Sequence, residues 1–111
     1  MSTRLPTDAN DFVIPALRLM PNGAHTIQSG ISAQRNSTAF SNDTRVISIY
    51  ATEDVYLHFG DASVSASTND HFFPKGVYYD VAIAADASAA YSHVSALQVS
   101  NAGSVYISEK F

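Results

Sequence analysis

Cysteine is absent from this 111-residue chain. Disulfides and thiolate chemistry are therefore excluded, and the redox compartment leaves no mark on the sequence. Charge is scarce: charged residues make up 14% of the chain, against ~25% in an average domain. The six basic residues are scattered and the net charge is −4, which argues against a nucleic-acid footprint, since that needs clustered Lys and Arg. No apolar run approaches the ~20 residues of a membrane span. The stretch from Met1 to Asp11 lacks the basic start and apolar core of a signal peptide, so the expectation is a soluble protein made in the cytoplasm. Local chemistry is missing as well. His25, His58, His71 and His93 form no HxH or HxxxH pair. There is no G-x-S-x-G nucleophile elbow and no glycine-rich phosphate loop. Glu53-Asp54 reads as a pair of solvated turn residues rather than acid/base partners. No catalytic residue, metal or cofactor is expected, and an enzyme is the weakest reading.

What the chain does have is alternation. Ile47, Ile49 and Ala51 alternate with Ser48 and Tyr50, and Val55, Leu57 and Phe59 alternate with Tyr56 and His58. Strict alternation means half-buried strands, because successive side chains leave a pleated backbone on opposite faces. A three-residue turn at Thr52-Glu53-Asp54 predicts a hairpin with Ala51 facing Val55, Ile49 facing Leu57 and Ile47 facing Phe59. One long strand bent at Glu53-Asp54 has the same parity. Val77, Tyr79, Val81 and Ile83 predict another strand after the Pro74-Lys75-Gly76 turn. At the C-terminus, Asn101-Ala102-Gly103 predicts a second hairpin, with Gly103 at a position needing positive φ, Val99 opposite Val105 and Leu97 opposite Ile107. Residues 25–40 carry one or two edge strands, with Gly30 as a candidate bulge. The run 84–90, A-A-D-A-S-A-A, reads as a loop or one short helical turn. Hydrophobic content of 46% suffices for one core. The fold class is all-β: six to eight short strands in a small antiparallel β-sandwich or jelly-roll-like domain with an extended N-terminal arm.

The expected division is an arm over residues 1–24 and a β-sandwich domain over 25–111. Pro6, Pro15 and Pro21 punctuate the arm and disfavour a helix. Phe12, Val13, Ile14, Leu17, Leu19 and Met20 have no use in an exposed tail, so they want a surface, with a neighbouring protein slightly favoured over the domain itself. Tyr50, Tyr56 and Tyr106 fall on the outward parity of their strands. Outward tyrosines serve protein interfaces or stack on sugar rings, and they also pair with one another across strands without any ligand. The hairpin register would make Tyr50 and Tyr56 direct partners.

From Arg45 onward the chain resembles small β-rich virion proteins of tailed bacteriophages and gene transfer agents. The outline is carried by Arg45-Val46-Ile47, then Asp54-Val55-Tyr56-Leu57-His58-Phe59-Gly60, the small-residue loop from Asp61 to Asp70, Phe73-Pro74-Lys75-Gly76, and Gly103-Ser104-Val105-Tyr106-Ile107-Ser108. The closing Ser108-Glu109-Lys110-Phe111 departs from the pattern, and the arm is not part of it. The resemblance implies a non-enzymatic capsid decoration or cement protein, or a head-spike, connector or tail component. Its partners would be the major capsid protein and copies of itself in a homotrimer, and its location the virion surface. Phe12, Val13, Ile14, Leu17, Leu19, Met20, Tyr50, Tyr56 and Tyr106 are then the expected contact residues. The alternative from another class is a carbohydrate-binding β-sandwich module using Tyr50, Tyr56, Tyr78 or Tyr106 as stacking platforms.

Overall fold

The computed structural model describes residues 6–12, 16–84 and 90–111. Val13, Ile14 and most of the small-residue run at 84–90 lie outside the described residues. Eight strands follow in order: β1 (Leu19–Ser29), β2 (Gln34–Arg35), β3 (Val46–Ala51), β4 (Val55–Gly60), β5 (His71–Phe73), β6 (Tyr78–Ala82), β7 (His93–Gln98) and β8 (Gly103–Lys110). They form two antiparallel four-stranded sheets, β1-β8-β3-β6 and β2-β7-β4-β5. That interleaved order is the jelly roll, a double-sheet solution with two Greek keys.

The core lies between the sheets. Ile27, Ile47, Ile49, Val105 and Ile107 face inward from the first sheet, and Val55, Leu57, Val94 and Ala96 from the second, with Phe40, Phe73 and Ile83 completing the cluster. Full burial of a branched side chain contributes about 1.5–3 kcal/mol, so the alternating positions supply most of the driving force.

The inward parity matches the sequence on β3, β4 and β8. It does not on β7, where Val94 and Ala96 face the core and Leu97, expected on the dry face, stands beside Tyr56 on the outer one. The strand partners do not match. β3 pairs with β6 and β8, whereas β4 pairs with β5 and β7. The expected Ile49–Leu57 hairpin is instead an arch: the chain leaves one sheet at Ala51 and enters the other at Val55. Both arrangements keep Ile47, Ile49, Ala51, Val55 and Leu57 dry. In the arch the two dry faces meet across the core, at the spacing of packed sheets. β7 and β8 are likewise in different sheets, so Val99–Val105 and Leu97–Ile107 are not partners. Gly103 is needed for a different reason from the expected one. Among described residues the positive-φ glycine is Gly76, at 77°, while a Cβ on Gly103 would lie 2.6 Å from Thr52 Oγ1. Glycine at 103 lets two arches touch at the same end of the sandwich.

β1 runs across the boundary expected at residue 24. Its register shifts between Leu19 and Ala24, where Pro21, Asn22 (φ 63°) and Gly23 form a bulge. The bulge therefore sits here and not at Gly30. Ahead of β1 the chain is not simply extended. Asp8 N donates to Phe12 O at 2.9 Å, and Asp8 Oδ1 accepts from the amides of Asn10 and Phe12, closing a tight turn.

Candidate functional site

The outer faces of the two sheets differ in what covers them. On the second sheet, the loop from Asp61 to Asp70 folds back over the strands. Val64 and Ala66 are buried under it, and Ala66 N donates to Ser95 Oγ at 2.9 Å. Aspartates fasten both ends: Asp61 Oδ1 accepts from Ser63 N and Oγ, and Asp70 Oδ2 from Ser67 N and Oγ. These hydrogen bonds, from Ser63 and Ser67 respectively, hold both carboxyls below their ordinary range.

The outer face of the first sheet is open. Registers across β1, β8, β3 and β6 arrange it as a grid of three rows: Thr26-Tyr106-Tyr50-Tyr78, Ala24-Ser108-Ser48-Asp80, and Leu19-Lys110-Val46-Ala82. Three tyrosines thus stand side by side on adjacent strands, with Tyr78 60%, Tyr106 49% and Tyr50 38% exposed. The grid carries two charges, and they neutralise each other, since Lys110 Nζ lies 2.8 Å from Asp80 Oδ1. Lys110 also sits 5.0 Å from the centre of the Tyr78 ring. Hydrogen bonding to Ser48 and then to Lys110 holds the Tyr78 phenol below its ordinary pKa, and bonding to Asp80 raises that of Lys110.

Of the residues expected to make contacts, Tyr50, Tyr106 and Leu19 come together here. Tyr56 does not. It lies on the other sheet, opposite Phe72 and Leu97 in register, with its ring 6.3 Å from that of Phe72. Tyr50 pairs with Tyr78 and Tyr106 rather than with Tyr56. Phe12 is exposed and Leu17 half-buried. Met20 turns inward, where Thr44 Oγ1 donates to its Sδ at 3.9 Å.

Sequence reasoning missed a buried polar cluster behind this face. The carboxylate of Glu109 accepts from Thr44 Oγ1 and from Ser41 N at 2.8 Å, and pairs with His25 Nε2 at 2.7 Å. His25 packs edge-on against Phe40. The signal was present, because Glu109 continues the inward parity of Val105 and Ile107, and His25 that of Ile27. Each oxygen of Glu109 is engaged, so the cluster reads as a tie between β1, the 41–44 turn and β8. No group of three or more His, Cys, Asp or Glu fit to hold a metal occurs among the described residues.

No family model matches the chain, and neither does any curated protein or solved structure.

Proposed function

We propose that this chain is a non-enzymatic structural protein of a bacteriophage virion, a decoration or cement protein that docks on the major capsid protein shell. The observation that carries the reading is the open face of the first sheet: tyrosines, Leu19, Val46, alanines and hydroxyls, with its two charges paired. Interface cores are depleted in charge and enriched in tyrosine. Jelly rolls also build viral capsid and lectin domains, an analogy of fold alone.

Size refines the proposal. With strands ~4.8 Å apart and alternate residues ~6.7 Å apart, the grid spans roughly 14 by 13 Å, or about 200 Å² in plan. A stable interface takes ~800 Å² from each partner. Docking through the grid therefore needs more surface, which the exposed arm around Phe12 and several copies acting together would supply. A homotrimer is the assembly proposed.

The test is quantitative mass spectrometry of purified particles of the phage that encodes the chain, followed by rebinding of the recombinant chain to stripped shells. A ratio to the major shell subunit near one, or near one-third, is expected for a lattice-wide cement. A dozen copies or fewer would move the protein to a spike, connector or tail. Tyr50→Ser with Tyr106→Ser should lower shell occupancy at least tenfold, as expected for central hot-spot tyrosines. Absence from particles would overturn the virion reading. Arm deletions should stop before Arg18, whose amide and carbonyl bond those of Phe111 at 2.8 and 2.9 Å. A deletion that spares Arg18 should keep the fold and lose binding.

A second reading rests on the same tyrosine row, which is bordered by Ser108 and Asp80 and could stack sugar rings. Saturable oligosaccharide binding on a glycan array, lost in the tyrosine variants, would favour it.

A further inference from the structure

At the β2 edge of the second sheet, separate from the tyrosine face, the structure holds a polar cleft of about 390 Å³ lined by residues 33–37, Ala62 and His93. We infer that this cleft is a binding site for a small oxyanion, a phosphate or a carboxylate, held by Arg35 and His93.

Four features support it. First, the lining is rich in donors: the Arg35 guanidinium, the Gln34 amide, the Ser37 hydroxyl and the His93 ring, with no carboxylate among them. Second, Arg35 has no acidic partner among the described residues, whereas Lys75 and Lys110 are paired with Glu53 and Asp80. Among the described residues Arg35 makes one long hydrogen bond, from Nη1 to Val64 O at 3.4 Å. That contact lays the guanidinium against the 61–70 loop, and its other donors have no partner among the described residues. Third, His93 is only 9% exposed, and its Nδ1 is engaged by Ser92 Oγ at 2.8 Å. Nε2 has no partner among the described residues. A buried ring nitrogen without a partner is costly, and water or a ligand must satisfy it. In the tautomer in which the Ser92 hydroxyl donates to Nδ1, the ring proton sits on Nε2, which then acts as a donor. Fourth, the wall of the cleft is built. Asn36 is buried, with Nδ2 donating to Thr38 O and Ser92 O and Oδ1 accepting from Val94 N. Its amide is therefore spent on holding the 34–38 segment against β7, not on a ligand. Asp61, which interacts electrostatically with His93, is not among the lining residues, and its Oδ1 is bound by Ser63.

A planar guanidinium fork beside an imidazole donor suits the oxygens of a carboxylate or phosphate. In an open, half-solvated cleft the affinity should be on the order of a millimolar.

The experiment follows the histidine ring resonances of the ¹⁵N-labelled full chain during titration with inorganic phosphate, with chloride replaced to hold ionic strength constant. A second series uses acetate. The expected result is a saturable shift confined to His93, with His25, His58 and His71 unmoved, that weakens about tenfold or more in Arg35→Gln, as loss of a charge-assisted fork requires. Arg35→Lys should fall between, and it serves alone if the glutamine variant does not fold. Saturation by phosphate but not acetate assigns a tetrahedral ligand, and the converse assigns a carboxylate such as an acidic side chain. A shift that never saturates, moves the exposed His58 equally, or persists unchanged in both Arg35 variants would overturn the assignment.

Discussion

Gly103→Ala isolates how the two arches meet. The added Cβ would lie 2.6 Å from Thr52 Oγ1 and 3.0 Å from both Cβ and Cγ of Glu53. Overpacking of this kind costs about 1–3 kcal/mol, offset by the ~0.4–1 kcal/mol that alanine contributes by restricting the unfolded chain. A net loss of about 1–2 kcal/mol is expected. Thr52 is not a passive neighbour, because its Oγ1 accepts from Ser104 N at 2.8 Å, so Thr52→Ala alone should cost about 0.5–1.5 kcal/mol. It also removes the atom that the new methyl strikes first. The double variant should then be about 1 kcal/mol more stable than the sum of the single losses. Gly76→Ala is the control. It has φ 77° and nothing within 4 Å, so its loss of about 1–2 kcal/mol comes from backbone strain and does not depend on any neighbour. Urea denaturation followed by tyrosine fluorescence reads all of these. If Gly103→Ala and Thr52→Ala add within about 0.3 kcal/mol, the close approach is not what requires glycine at 103, and the reasoning fails.

Other perturbations address the buried polar cluster and the loop over the second sheet. Glu109→Ala strips the partner from the buried His25 and Thr44 side chains and from the Ser41 amide, so it should cost about 3–5 kcal/mol; a thermal melt implying a loss under about 1 kcal/mol would refute the cluster as a tie. In acid, the depressed carboxyls of Asp61 and Asp70 set the sign. Their contribution is fully present above the unfolded value of 3.8 and is lost as pH falls through the lower folded values. Asp61→Asn and Asp70→Asn should each flatten the fall of Tm below about pH 4, and slopes identical to the parent would refute the loop's fastening by these groups.

The faces of β3, β4 and β8 were legible in the sequence; that of β7 was not, and neither were the strand partners. Ile47, Ile49, Val55, Leu57, Val105 and Ile107 sit inward as their alternation requires, because parity is a property of the local backbone. Whether Ala51 and Val55 end a hairpin or an arch is decided elsewhere. It depends on which other strands compete for β3 and β4, and β8 and β7 win that competition. Residues 52–54 satisfy either outcome. The same nonlocality hid the tyrosine row, which needs the registers of three strands at once. Tyr50 and Tyr106 could be assigned outward, but only the β3–β6 and β3–β8 pairings set them in one row with Tyr78, Tyr50 in the middle. Glu109 was readable as an inward residue, yet its partners come from β1 and the 41–44 turn, remote in sequence.

Strand β8 is the last in chain order, and it lies inside the first sheet, between β1 and β3. Until it arrives, β1 has no neighbour in its sheet and β3 has only β6. During synthesis at ~5–20 residues per second, β1 and its bulge therefore stay unpaired in this sheet until β8 emerges, and the tyrosine row lacks Tyr106 until then. The open face is complete only once β8 has docked between β1 and β3, so a partner that recognises it can engage only molecules whose first sheet has closed. Recognition through that face is thereby ordered after folding, by topology alone.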